Sequence, residues 1–165
     1  MASDAETLVL MLGLEPHPEG GYYRELYRSD EQIPAAGLPG RYEGPRACST
    51  GIYYLLRTGD RSRLHRVRSD ELWHYYDGDP VTLHVLHEDG SHQRIILGPP
   101  PEGEGWQIAV RHDVWFGAET EGPAGYALVG CTVAPGFDYA DFELADPDAL
   151  LARFPQHAEL IRRLS

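Results

Sequence analysis

His65 and Glu71 are the residues of this 165-residue sequence whose types and spacing best support chemistry. They lie in residues 59–78, GDRSRLHRVRSDELWHYYDG. A carboxylate close to an imidazole raises its pKa and fixes its tautomer, the arrangement used in general acid–base catalysis. The same groups are metal donors, but two make a weak site, and Gln107, Tyr126 or a water would have to add a third. Trp73 and Tyr75 follow Glu71 at two-residue steps. On a strand these three share one face, and His74 and Tyr76 take the other. Trp73 and Tyr75 then read either as hydrophobic core or as an aromatic wall that stacks on a flat or sugar-like ligand.

Further candidates lie along the chain. Tyr23 and Arg24 follow the Gly20-Gly21 turn, a position suited to a strand lying over the mouth of a cavity. Arg24 is able to pair a carboxylate or phosphate on a ligand, or one of the chain's many acids. Tyr54, with Tyr22 and Tyr53, adds aromatic surface. Trp115 is followed by Phe116, which would make a cavity floor apolar. Cys131 sits in an apolar run and reads as buried and inert, since no activating partner is evident. His84, His87, His92 and His112 fall on polar strands or turns and receive no role.

The elements that must position these residues are mostly strands. Alternating or apolar runs occur at 22–29, 49–56, 63–67, 71–76, 81–87, 91–97, 106–110, 114–118 and 126–133. Turn signals separate them, among them Thr58-Gly59-Asp60, Asp77-Gly78-Asp79-Pro80 and Asp89-Gly90. In the first strand Tyr23, Glu25 and Tyr27 are expected on one face, with Tyr22, Arg24, Leu26 and Arg28 on the other. Residues 30–47 are rich in Pro and Gly and read as a long surface loop. Residues 15–21, EPHPEGG, read as a rigid linker. A helix is expected over residues 3–13, opened by a Ser3/Glu6 capping box, and short helices follow Asp146-Pro147 and Pro155. So many short strands with tight turns imply an all-β double-sheet roll or barrel in one domain, residues 1–165.

Bulk composition narrows the partners. The formal net charge is −12, with 26 acids against 14 bases. That balance argues against nucleic acid and against anionic membranes. Arg61, Arg63, Arg66 and Arg68 form the only basic run, best read as a solvated strand face. No apolar stretch approaches membrane-spanning length, and the N-terminus lacks the pattern of a signal peptide. Cys48 and Cys131 have no framework spacing, so free thiols and a cytoplasmic location are expected.

Residues 59–78 resemble the first motif of the cupin superfamily, G-x5-H-x-H-x3-E-x6-G. Both glycines, His65 and Glu71 match, while Val67 replaces the second histidine. The second motif is matched only in layout: Gly105 is present, but Arg111, Asp113, Phe116 and Thr120 replace its proline, second glycine, metal histidine and asparagine. Two of the four usual metal ligands are therefore missing. The stretches LEPHPEGGYYRELYRS (14–29), IYYL (52–55), LHRVRSDELWHYYDG (64–78), WFGA (115–118) and GYALVGCTVAPGFDYADF (125–142) resemble, in order, the cupin-5-like group, once labelled a domain of unknown function. The resemblance implies a cupin double-stranded β-helix (jelly-roll barrel), usually a homodimer, with a polar-aromatic cavity and no settled activity.

Two functions follow as expectations. The first is an isomerase- or epimerase-like acid–base enzyme, or a related lyase, using His65 and Glu71 on a small molecule in an aromatic-lined barrel. Its ligand-contacting set is Tyr23, Arg24, Tyr54, Trp73, Tyr75, Gln107, Trp115, Phe116 and Tyr126. It would work without a cofactor or with a weakly held divalent metal on His65 and Glu71. The second is a non-catalytic module that binds a small metabolite. A metal-dependent oxygenase is disfavoured by Val67 and Phe116.

Overall fold

The computed structural model describes residues 4–165. Its first element is helix α1 (Asp4–Leu12); the Ser3 end of the expected capping box lies outside the described residues. A corner containing the two-residue strand β1 (Glu15–Pro16) leads into β2 (Tyr22–Arg28), and a small hairpin β3 (Gln32–Ile33) and β4 (Arg46–Ala47) follows. The main strands are β5 (Thr50–Arg57), β6 (Arg61–Val67), β7 (Asp70–Gly78), β8 (Val81–Leu86), β9 (His92–Leu97), β10 (Gln107–Val110), β11 (Trp115–Thr120), β12 (Tyr126–Ala134) and β13 (Phe142–Leu144). Helices α2 (Pro147–Arg153) and α3 (Ala158–Arg163) close the chain. The Asp146 side chain accepts from the Asp148 N–H and Pro147 opens α2, as the Asp-Pro signal implied.

Two antiparallel sheets face each other. One has the order β1-β2-β5-β12-β7-β10 and the other β13-β6-β11-β8-β9. Apart from the β1–β2 and β8–β9 pairs, consecutive strands of these two sheets alternate between them from β5 on, so the strands wind into a roll. The inward face of one half of the roll is packed solid. Tyr54, Trp73 and Phe116 meet edge to face there, backed by Val81, Leu83, Val85, Leu97, Ala118 and Val129. A second cluster seats α2 and α3 on the outside of the smaller sheet, and a third seats α1 on the larger one. No described helix is long and apolar enough to cross a membrane.

Two expectations need correction here. Residues 30–47 are not a plain loop: β3 and β4 pair, and Arg46 is buried, with its Nε and Nη2 donating to the two oxygens of Asp141 at 2.7 Å. A buried charge is tolerated only when paired and hydrogen-bonded, so this segment is fixed to the start of β13. In β2 the register slips between Glu25 and Tyr27. A bulge places two residues against one and reverses the alternation beyond it. Tyr27 is therefore exposed, while Arg28 joins the cavity rim.

Candidate active site

The unpacked half of the roll holds a cavity of about 440 Å³. Its floor carries His65 and Val67 from β6, Glu71 from β7 and Cys131 from β12. Its walls include Tyr23, Tyr54, Tyr139 and Phe142, and its rim carries Arg24, Arg28, Glu25 and Asp138. His17 and Glu19 come from the β1–β2 corner that the sequence presented as a linker.

That corner is held rigidly. The His17 N–H donates to the Gly21 carbonyl and the Gly20 N–H to the His17 carbonyl, both at 2.9 Å. The Tyr54 hydroxyl donates to the Gly20 carbonyl at 2.6 Å, and the Arg63 N–H donates to the Glu19 carbonyl at 2.8 Å. Gly20 adopts φ +109°, and a Cβ there would stand 2.0 Å from the Arg61 carbonyl oxygen. Gly20→Ala is therefore expected to cost about 2 kcal/mol, the sum of a left-handed backbone and a backbone clash. Urea denaturation checks this, and an unchanged midpoint would show that the corner has room to move.

Glu19 is the centre of the polar network. The Ser62 hydroxyl donates to its Oε1 at 3.0 Å, and its Oε2 lies 3.1 Å from His65 Nε2. Ser62 and His65, three residues apart, both face inward because β6 bulges. The register runs Phe116 opposite His65 but Ala118 opposite Ser62, so three residues of β6 span two of β11. His65 Nδ1 lies 2.6 Å from the Arg63 carbonyl, which only accepts, so Nδ1 carries a proton. Burial lowers the His65 pKa, partly offset by Glu71. Burial raises that of Glu19, opposed by His17 and the Ser62 hydroxyl. Both directions favour a neutral couple in which protonated Glu19 donates to a bare Nε2.

Glu71 completes the set. Burial pushes its pKa up to about 7, with Glu19 adding to the rise and His65 opposing it. The buried Trp73 indole N–H makes no hydrogen bond within normal limits, yet it lies near enough to Glu71 to favour the charged carboxylate slightly. Burial holds the Cys131 thiol well above its usual range, so it is a poor nucleophile.

The structure brings together Tyr23, Arg24, Tyr54, His65 and Glu71 from the expected set. Trp73 and Tyr75 do share the inward face with Glu71, as alternation implied, but Trp73 is plugged into the packed half at 1% exposure. The Tyr75 hydroxyl bonds the Gly78 carbonyl. Neither lines the cavity. Alternation fixes which way a side chain points, not how far along the roll it lies. Phe116 packs behind His65, with ring centroids 4.2 Å apart, and supports the floor from below. Trp115 points outward beneath α2 and α3, with Arg66 over its ring. Tyr126 lies outside under α1, its hydroxyl on Asp77 at 2.8 Å, and Gln107 is exposed on an edge strand.

The donor set does not fit a metal ion. Gln107 and Tyr126 are far from the floor, Val67 and Phe116 offer no lone pair, and His65 Nε2 is aimed at Glu19. Among the described residues no three His, Cys, Asp or Glu side chains converge to hold a metal. His17 and Glu19 were present in one of the matched stretches, residues 14–29. The signal was a His and a Glu two apart between prolines and glycines, where rigidity is a means of presenting side chains.

The family described as "Cupin superfamily (DUF985)" matches residues 6–145. A hypothetical protein from Leishmania major is similar at 36% identity and TM-score 0.88, with 99% of each chain covered. A protein of Shewanella oneidensis is similar at 37% identity and TM-score 0.86, covering 100% of this chain and 98% of that one. Oxalate decarboxylase from Bacillus subtilis shares the fold alone, with TM-score 0.55 at 16% identity over 91% of this chain and 37% of that one. No curated protein matches.

Proposed function

We propose a function from one premise: the chain belongs to the Cupin_5 family of the cupin superfamily. The function is proton transfer at carbon, as in an isomerase or epimerase, on a small uncharged molecule with a C–H next to a carbonyl. One observation carries it. Two buried carboxyls, Glu19 and Glu71, share a cavity with His65; burial raises the pKa of both, but Glu19 is bonded to His65 and Ser62 and Glu71 is not. Pairs of titratable groups with divided roles are what acid–base enzymes need.

Glu71, with its pKa near neutrality, is the base. Its carboxylate takes the proton from the substrate carbon, and the C–H electron pair moves into the carbonyl to give an enolate. The proton returns to the other face of the same carbon or, where an α-hydroxyl gives up its proton as the former carbonyl oxygen gains one, to the adjacent carbon, so the reaction is redox-neutral and needs no co-reactant. The hydrogen-bonded Glu19–His65 couple is placed to protonate or relay at oxygen. The rim supports an uncharged substrate. Arg28 is committed to both oxygens of Glu25 and to the Phe137 carbonyl, and Arg24 to the Leu12 carbonyl.

The test is hydrogen exchange from a panel of hydroxyaldehydes and hydroxyketones, including dihydroxyacetone, in D2O followed by proton NMR. The expected result is exchange above the buffer blank that rises with pH through about 7, as Glu71 loses its proton. Glu71→Gln and His65→Ala should each lower it by about 10²- to 10⁴-fold. No exchange above the blank across the panel, or wild-type rates in both variants, sinks the reading. Calorimetric binding of a metabolite without conversion would instead mark a binding module.

A further inference from the structure

The proton-transfer reading leaves one group in the cavity without a task, His17. Its Nδ1 accepts the backbone N–H of Glu19 at 3.1 Å. A nitrogen that accepts is unprotonated, so in the neutral ring the proton sits on Nε2. The ring is wedged edge-on against Tyr23, with centroids 4.5 Å apart, and against Tyr54 at 5.8 Å and Phe142 at 6.4 Å. It therefore cannot turn freely. Burial lowers its pKa, opposed by Glu19 and reinforced by His65, which keeps the ring neutral. His17 lines the cavity, and Nε2 makes no hydrogen bond to the described residues. It is not sealed off either, for among the described residues only Trp73 Nε1 is both buried and unpartnered.

We propose that His17 is a catalytic residue whose Nε2–H, fixed by the Glu19 backbone, binds the oxyanion formed when an α-hydroxy aldehyde or ketone loses its α-proton. The assignment rests on the proton-transfer reading above and names the substrate class of that same site. A neutral imidazole N–H suits the task. It is a stronger donor than a hydroxyl, and it does not surrender a full proton to a developing enolate as an imidazolium would. Catalysis gains only if the donor is held where charge develops rather than where it already is. The backbone contact supplies that fixation: the Glu19 N–H holds Nδ1 at 3.1 Å, while the Glu19 carboxyl stands farther off, with Oε2 3.8 Å away. The α-hydroxyl is placed by its own hydrogen bonds, with the Glu19 carboxyl as the nearby partner. This explains why both residues come from one short, glycine-stiffened corner.

Two measurements test it. The first is the tautomer, read from ¹⁵N chemical shifts of His17. A bare Nδ1 and a protonated Nε2 are expected, and a proton on Nδ1 overturns the proposal. The second uses glycolohydroxamate, an uncharged mimic of the enediolate, titrated by calorimetry. His17→Phe keeps the ring packing but removes the donor, and should weaken binding by about 10- to 100-fold. His17→Gln supplies an amide N–H and should recover part of that loss. Affinity unchanged in His17→Phe overturns the proposal, as does a larger loss in His17→Gln than in His17→Phe, which is the mark of a packing role. The two readings fail separately. Loss of exchange in Glu71→Gln with affinity independent of His17 retains the reaction and removes the donor. Affinity that depends on His17 in a protein that exchanges no α-hydrogen retains the donor and removes the reaction.

Discussion

Arg46→Ala is expected to lower the free energy of unfolding by about 3–5 kcal/mol. Arg46 and Asp141 are both nearly sealed from solvent, with side chains 4% and 1% exposed. Two parallel bonds of 2.7 Å join them, and a third Arg46 N–H donates to the Pro45 carbonyl at 2.7 Å. Removing the guanidinium leaves a carboxylate in a low-dielectric site with no counter-charge. That loss exceeds the net worth of the pair, since burying two charges already costs several kcal/mol. The double variant Arg46→Met with Asp141→Leu separates the two quantities and should be much less destabilised than Arg46→Ala. Urea denaturation of both measures the difference. If the single variant lost under 1 kcal/mol, water would be reaching Asp141. The pair also ties β4 to the turn carrying Tyr139 and Phe142, so a loosened cavity wall should accompany the loss.

Glu71→Gln is expected to do the opposite to stability while lowering exchange by about 10²- to 10⁴-fold. The folded protein holds Glu71 at about 7 against an ordinary 4.5. Below 4.5 the carboxyl is protonated in folded and unfolded chains alike, and burial carries no charge penalty. Between 4.5 and 7 the unfolded chain ionises while the folded one resists, so wild-type stability falls as pH rises. Above 7 the penalty is constant. Glutamine has no such titration. Its advantage should be near zero at pH 4, grow through the interval and level off above pH 7 at roughly 1–3 kcal/mol. Thermal melts of both proteins from pH 4 to 8.5 check it. Parallel curves would show that Glu71 ionises freely in the fold, and the base assignment would lose its support. A site that costs stability is common where function requires a strained charge.

The roll was legible in the sequence because its signals are local. Asp89-Gly90 does turn the chain between β8 and β9, Asp146-Pro147 does start α2, and every main strand except β13, which was not expected, lies within a few residues of its expected place. His65 and Glu71 were legible because a motif fixes their spacing. What failed depends on three-dimensional depth. Trp73, Tyr75 and Phe116 point inward as alternation requires, but they fill the end of the roll opposite the opening. Trp115 and Tyr126 are covered by helices on the outside, which no strand pattern reveals. Glu19 was hidden for another reason. Its partners Ser62 and His65 are more than 40 residues away in the chain, and its own neighbours are turn formers. Arg46 likewise looked like a loop charge, because Asp141, 95 residues distant, makes its burial tolerable.

The bulge in β6 gives the chain an uneven tolerance for changes in length. Ser62 and His65 reach the two oxygens of Glu19 only because one surplus residue is accommodated between them. Deleting one residue there would regularise the pairing with β11 and leave a better strand. It would also turn either Ser62 or His65 toward solvent, because a one-residue slip exchanges the faces of everything beyond it. Adding a residue to the tip between β8 and β9 shifts no face that meets the cavity. Descent by gain and loss of residues can therefore remodel the outer tips of this fold while β6 keeps its length, held by an irregularity that looks like a flaw in the ladder.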